Sequence, residues 1–167
     1  MPSEHDSGIV IEMAGSSRMG IMRELFREYE RSVDAPVCFE DFERELEGLP
    51  GEYTRPVGAL FLALDNTMPV GCVGIRPQDN LTAEVKRLFV RESCRRSGIG
   101  ARLMTAVIRH AGQAGVTELH LETLPSMRAA IRLYQQLGFV PAPAYHHPTA
   151  PGAQLLIKRL SPPAQDG

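Results

Sequence analysis

The chain has 167 residues, of which 43% are hydrophobic and 23% charged, the balance of an ordinary globular domain. Its formal net charge of −2 argues against nucleic acid as the main partner, because proteins that bind a phosphate backbone usually carry a basic excess. No apolar run approaches the ~18 residues that a membrane-spanning helix needs, and Cys38, Cys72 and Cys94 lie too far apart for a disulfide framework or a zinc site. We therefore expect a cytoplasmic protein with reduced thiols that binds neither nucleic acid nor a membrane.

Hydrophobic periodicity divides the first half of the chain into strands and helices. An apolar stripe at helical spacing predicts a first helix, and a wholly apolar run followed by a turn predicts a hairpin whose first strand is covered on both faces. The predicted elements are a strand at 8–13, a helix with a stripe from Met22 to Val33, a helix at 39–48, and strands at 59–64 and 69–76.

Strands and helices alternate in the second half. The predicted elements are a strand at 81–91, a helix at 97–113, a strand at 117–123, a helix at 126–137 and a closing edge strand at 153–160. This order of strands and helices indicates an α/β protein with a mixed sheet and helices on both faces. We expect one domain over 8–160, with the polar segments 1–7 and 161–167 as flexible termini.

The strand at 81–91 changes the phase of its apolar residues near position 86. In a strand, a slip of one residue moves every later side chain to the other face. One inserted residue, a β-bulge near Lys86 and Arg87, would restore the pattern, while a strand buried on both faces would also explain it. The two apolar sets are Leu81, Ala83 and Val85 at odd positions, then Leu88 and Val90 at even positions.

A basic segment with two glycines, 91–101, joins this strand to the next helix. Gly98 and Gly100 stand at the predicted helix start, where backbone N–H groups and the helix dipole can bind an anion. The spacing R-x-x-G-x-G lacks the Lys-Ser or Lys-Thr of a P-loop and differs from the dinucleotide fingerprint. A polyphosphate ligand would suit the cations around it, although a plain turn with a solvated basic face is the alternative. These cations are Lys86, Arg87, Arg91, Arg95, Arg96 and Arg102.

Three motifs together resemble the GNAT acetyltransferase superfamily: Glu84-Val-Lys-Arg-Leu-Phe-Val90, then Arg95-x-x-Gly98-x-Gly100, then Ala130-x-x-x-Tyr134-x-x-x-Gly138-Phe139. The resemblance covers about 81–160, and segments 121–127 and 151–153 are similar to a bacterial subgroup of small GNAT proteins. One departure is Met127, which stands where many members of the family carry an Asn that contacts pantetheine.

The resemblance implies a GNAT fold and a metal-free N-acetyltransferase. It would move an acetyl group from acetyl-CoA, its co-substrate, to a primary amine of a small molecule by direct attack in a ternary complex. Glu84 would take the proton from the amine, directly or through water, and Tyr134 would protonate the departing CoA thiolate. The backbone of Leu88, Phe89 and Val90 would pair with the pantetheine arm, and the Val90 N–H would stabilise the oxyanion. The pyrophosphate would lie on backbone N–H groups of Arg95, Arg96, Ser97, Gly98, Ile99, Gly100 and Ala101.

Alternatives remain for these roles. Glu84 could be a strand carboxylate paired with Lys86, and Tyr134 could be a core residue. A strand face with Glu118, His120 and Glu122 could hold a metal, but a polar face explains it better. The chain as a whole could instead be a protein or peptide N-acetyltransferase, or a non-catalytic acetyl-CoA-binding module that regulates, and a homodimer is left open.

A run of acids follows the first predicted helix. In proteins that this chain resembles, this segment helps to form the acceptor side of the cleft, so acids there would favour a cationic acceptor such as a polyamine, an amino sugar or a basic peptide end. The alternative is the outer face of an amphipathic helix. The acids are Glu40, Asp41, Glu43, Glu45, Glu47 and Glu52.

Overall fold

The computed structural model describes residues 8–33, 41–95, 97–144, 146–148 and 151–161. Within these ranges, seven strands form one sheet in the order β1-β2-β3-β4-β5-β7-β6. Neighbouring strands are antiparallel except β4 and β5, which run parallel. The strands are β1 Ile9–Met13, β2 Ala59–Asp65, β3 Met68–Pro77, β4 Thr82–Val90, β5 Glu118–Thr123, β6 Val140–Pro141 and β7 Gln154–Arg159.

The helices pack on both faces of this mixed sheet, as the sequence predicts. One apolar core joins the sheet to α3 and α4, and a second joins it to α1 and α2. The first part of the predicted helix at 39–48 and the predicted flexible segment 1–7 lie outside the described residues, as do 162–167. The helices are α1 Met19–Ser32, α2 Phe42–Glu47, α3 Ile99–Gln113 and α4 Arg128–Gln136.

Strand β2 is covered on both faces. Its first six residues are all buried. Alternate side chains enter the two cores: Ala59, Phe61 and Ala63 belong to the core of α3 and α4, whereas Leu60, Leu62 and Leu64 belong to the core of α1 and α2.

Strand β4 carries the bulge that its apolar phase predicts. Between Cys72 and Gly74 the register advances two residues on β3 but three on β4, so that Arg87 and Leu88 together oppose Val73. Arg87 has a φ of 63°, in the left-handed region that a side chain seldom adopts. Because of the inserted residue, the apolar side chains before and after the bulge face the same core, that of α3 and α4. They are Ala83 and Val85 before the bulge, and Leu88 and Val90 after it.

The closing strand is internal, whereas the sequence predicts an edge. Val140 and Pro141 form β6 and pair with Ile157 and Leu156 of β7, so that β7 lies between β5 and β6. A two-residue strand has no periodicity of its own, and for this reason the sequence pattern does not place β6 at the edge.

Candidate functional site

A cleft opens where β4 and β5 part. Thr82–Glu84 pair in parallel with Glu118–His120. The pairing ends there, although β4 runs on to Val90 and β5 to Thr123. On the side of β4 that faces β5, residues Val85–Val90 pair with none of the described strands. We name the opening between these two strand ends the β4/β5 cleft. Its β4 side presents a strand edge, the surface to which an extended ligand adds as a further strand.

The N-terminus of α3 follows this edge. Gly98 enters the helix with a φ of 78°, and the described residues supply no side-chain hydrogen bond to cap it. The N–H groups of Ile99, Gly100 and Ala101 belong to the first turn, where a helix provides no internal acceptor and carries partial positive charge. This turn can therefore receive an anion on backbone groups alone.

The two glycines of this turn are needed for different reasons. A Cβ at Gly98 would meet no atom within 4 Å, so only its left-handed backbone conformation favours glycine. A Cβ at Gly100 would lie 3.3 Å from Cδ2 of Leu133 in α4, which is tighter than an ordinary contact. Gly100 thus allows α4 to approach the first turn of α3.

Two arginines of the loop between β4 and α3 bond the loop to neighbouring elements. Arg91 donates to both carboxylate oxygens of Glu28 in α1, at 2.9 and 2.6 Å, and to the Pro69 carbonyl at 2.7 Å. Arg95 Nε donates to the Val90 carbonyl at 3.0 Å, at the end of the strand edge. An open groove of about 730 Å³ lies between this loop and the C-terminal part of α1.

The bulge directs two of the basic side chains away from this loop. Lys86 Nζ lies 3.6 Å from Glu84 Oε1, and Arg87, which is 6% exposed, donates to Glu45 of α2 at 2.9 and 3.2 Å. The basic side chains of this segment are therefore divided between two places: Arg87 contacts α2, whereas Arg91 and Arg95 belong to the β4–α3 loop. Arg96 lies outside the described residues.

Glu84 is buried and held by three polar groups. Its Oε1 accepts from Arg76 at 3.2 Å and lies near Lys86, and its Oε2 accepts from the amide of Gln78 at 3.1 Å. Arg76 also bridges to Glu52 at 2.8 Å. The pairing with Lys86 that the sequence raised as an alternative is present, but the residue is not a surface carboxylate.

Arg76 and Gln78 were missed by the sequence reasoning. The strand-turn-strand pattern could have predicted the contact of Arg76 with Glu84, because a hairpin turn centred near residue 80 places 76 opposite 84. The observed register of β3 and β4 has this pairing, since Arg76 lies opposite Glu84.

Tyr134 is buried in the core of α3 and α4, with its ring centroid 5.9 Å from that of Phe139. Burial raises the pKa of Tyr134, and the hydroxyl of Tyr29 raises it further. The phenol therefore keeps its proton at neutral pH and can act as a donor. A core position and a proton-donating role are compatible for this residue.

The other predicted contact residues line the edge and the turn. Phe89 is buried, and its ring lies 5.9 Å from Tyr29, whereas Leu88 and Val90 are half-buried. In the loop and first turn, Arg95, Ser97 and Gly98 are exposed, Gly100 and Ala101 are half-buried and Ile99 is buried.

Three acids of the α2 segment are already paired. Glu43 bonds Arg27 of α1, Glu45 bonds Arg87, and Glu52 bonds Arg76. Asp41 and Glu47 are exposed, while Glu40 lies outside the described residues.

The described part of the chain contains neither a cluster of metal ligands nor a membrane-spanning helix. No three His, Cys, Asp or Glu side chains there gather as a metal site requires. None of the helices in those ranges has the length and apolar character of a membrane span.

Comparison with known proteins places this architecture among the acyltransferases. The chain belongs to the acetyltransferase (GNAT) family, whose family model matches residues 18–139. An uncharacterized N-acetyltransferase of Schizosaccharomyces pombe is 30% identical over 139 residues, which are 82% of this chain and 85% of the relative. Other relatives come from animals and from Escherichia coli, so a bacterial affiliation stays a prediction.

Solved structures show the same fold. A GNAT acetyltransferase of Staphylococcus aureus matches with a TM-score of 0.75 at 22% identity, covering 92% of this chain and 99% of that one. An acetyltransferase of Salmonella typhimurium, solved with acetyl-CoA, matches with a TM-score of 0.68 at 15% identity, covering 93% and 95%.

Proposed function

We propose that this acyltransferase moves an acetyl group from acetyl-CoA to a primary amine of a small molecule, by direct attack in a ternary complex. The observation that carries the proposal is the β4/β5 cleft: an unpaired strand edge that leads to the open first turn of α3. A linear arm that ends in a pyrophosphate fits this path. The Salmonella acetyltransferase that shares the fold was solved with acetyl-CoA, which supports this donor.

The chain would hold acetyl-CoA through backbone groups. Leu88, Phe89 and Val90 would pair with pantetheine, and the N–H groups of 95–101 would bind the pyrophosphate. Arg95 already lies against this edge through its bond to the Val90 carbonyl. The Val90 N–H would then stabilise the oxyanion that forms on the thioester carbonyl.

Two side chains would move protons. An alkylammonium ordinarily has a pKa near ~10.4, so the amine must lose a proton before it attacks. Glu84 takes part in removing that proton, directly or through water, and Tyr134 protonates the departing thiolate. Each such group contributes about 10²–10⁴-fold in rate, and neither step needs a metal.

The proposed setting follows from the substrates. Acetyl-CoA and small amines meet in the cytoplasm, and the chemistry requires neither nucleic acid nor a membrane. A homodimer stays a prediction, which sedimentation of the purified chain would test.

Release of CoA thiol from acetyl-CoA tests the proposal with three acceptors: spermidine, glucosamine and a basic peptide with a free amino end. We expect turnover with a small amine above the rate without acceptor, and its loss in Glu84→Gln. The highest kcat/KM on the peptide would favour a peptide acetyltransferase. Binding of acetyl-CoA without thiol release for any acceptor would favour a regulatory module.

A further inference from the structure

A row of polar side chains crosses the sheet at the closed end of the β4/β5 cleft. Arg76 of β3 pairs with Glu84 of β4, and Glu84 pairs in parallel with His120 of β5. Partners in register lie on the same face of a sheet. Since Ala83 and Leu119 enter the core of α3 and α4, Glu84 and His120 lie on the opposite face.

We propose that His120, oriented by Glu118, is the group that finally accepts the proton of the amine, with Glu84 holding the ammonium beside it. The inference rests on the proposed function and adds a catalytic residue to it. Glu84–His120 is the last pair before the strands part. A donor that enters along Leu88–Val90 brings its thioester toward this closed end, so the attacking amine must meet these two side chains.

The contacts of Glu84 explain why a second group is needed. Both of its oxygens already accept hydrogen bonds, from Arg76 and from Gln78. A carboxylate so occupied can attract a cation but is hindered as a proton acceptor. An imidazole is also the better acceptor in general, because its reference pKa of about 6.5 lies closer to that of an amine than a carboxyl group's.

Glu118 determines which nitrogen of His120 is basic. His120 Nε2 lies 2.6 Å from Glu118 Oε1, and the imidazole side chain is only 12% exposed. An ionised carboxylate can only accept a hydrogen bond, so Nε2 carries the proton of the neutral ring and Nδ1 keeps its lone pair. The same carboxylate stabilises the imidazolium after Nδ1 takes a proton.

The proton balance is complete without an added reagent. The ammonium gives one proton to His120 Nδ1, and the free amine forms the C–N bond by adding to the thioester carbonyl. The oxyanion so formed collapses and breaks the C–S bond. The thiolate takes the Tyr134 proton, and the second amine proton returns to that phenolate through solvent. His120 then releases its proton to water, so one proton leaves per turnover.

Other charges face His120 from each neighbouring element. The His146 ring lies 6.0 Å away, edge to face, and Arg159 lies 3.7 Å from Glu118. The pKa of Asp79 is lowered chiefly by its hydrogen bond from Thr82 and more weakly by His120. The titratable and charged groups around His120 are Glu118 and Glu122 of β5, Glu84 with Arg76 and Lys86, Asp79 before β4, His146, and Arg159 of β7.

The decisive variant is His120→Gln, since a glutamine amide can still donate to Glu118 while the basic nitrogen is lost. With the best of the three acceptors named above, we expect kcat to fall about 10²-fold, with unchanged acetyl-CoA affinity and melting temperature. The low-pH inflection of kcat/KM should disappear. In Glu118→Gln, a positioning variant, kcat should fall while the acetyl-CoA affinity stays unchanged. His110→Gln, on α3 at the other face, removes an imidazole as a control and should keep the inflection.

A His120→Gln enzyme with unchanged kcat and inflection would overturn the proposal, and so would a loss explained by lower melting temperature and lost acetyl-CoA binding. Nitrogen-15 imidazole spectra of the wild type test the tautomer without turnover, and a neutral His120 ring that carries its proton on Nδ1 would also contradict the proposal. If wild type acetylates none of the acceptors, the proposed function itself fails.

Discussion

At the residue scale, burial determines the protonation of Tyr134. The phenol is enclosed by apolar side chains, and this burial, with Tyr29 nearby, raises the pKa of Tyr134. A buried phenolate lacks the hydration that stabilises its charge, so the neutral form persists to higher pH than in water. Tyr134 is thus protonated at neutral pH, which is the form that a proton donor requires.

We expect Tyr134→Phe to lower kcat about 10²-fold, because the thiolate would leave without its proton donor. The ring and its packing against Phe139 remain, so acetyl-CoA affinity should be nearly unchanged. Single-turnover thiol release gives kcat, and calorimetry gives the dissociation constant. An unchanged kcat would show that Tyr134 is a core residue with no catalytic role.

At the scale of single elements, the first turn of α3 has little room for added atoms at Gly100. We expect Gly100→Val to abolish acetyl-CoA binding, because its side chain would meet Leu133 and cover the N–H groups of the turn. Gly112→Ala on the same helix is a matched control, since its Cβ would meet no atom within 4 Å. The control should bind normally and gain about 0.5–1 kcal/mol of unfolding free energy. Calorimetry and denaturant unfolding check both variants, and intact binding in Gly100→Val would contradict the site.

Helix α2 is fastened to the sheet by a buried ion pair. Removing the charge of Glu45 would leave the Arg87 guanidinium poorly compensated under the helix, where it is 6% exposed. We expect Glu45→Gln to lower the free energy of unfolding by about 3 kcal/mol.

The control for this pair is Glu43→Gln, whose partner Arg27 is 36% exposed and screened by water. It should leave the free energy of unfolding almost unchanged. Urea unfolding measures both variants, and equal effects would show that burial does not distinguish the two pairs.

At the scale of the whole molecule, ion pairs reduce the field of the acidic segment. Arginines neutralise Glu43, Glu45 and Glu52, whereas Asp41 and Glu47 are exposed. The prediction of a cationic acceptor therefore depends on fewer charges than the sequence count suggests.

For the best amine found, we expect kcat/KM to fall from low to physiological ionic strength, since salt screens attraction between exposed charges. The fall should be smaller in a Glu43→Gln, Glu47→Gln double variant. Flat profiles in both proteins would show that the acidic segment does not attract the acceptor.

Much of the fold could be read from the chain because periodicity is local. The apolar stripes predicted the four described helices, and the phase change in 81–91 predicted the bulge near Arg87. Both patterns lie within one segment of the sequence, so the segment alone shows which of its faces is apolar. The motif R-x-x-G-x-G likewise indicated the turn before α3, because the left-handed conformation of Gly98 is a local need.

Tertiary structure alone decided what surrounds the candidate catalytic groups. Strand order brought His120 of β5 beside the Arg76–Glu84 pair, and only the end of the β4–β5 pairing shows that this row closes the cleft. It also placed β7 inside the sheet and turned Arg87 toward Glu45. Pairing between distant segments depends on the energies of all strands together, whereas a periodic pattern reports only which face of each segment is apolar.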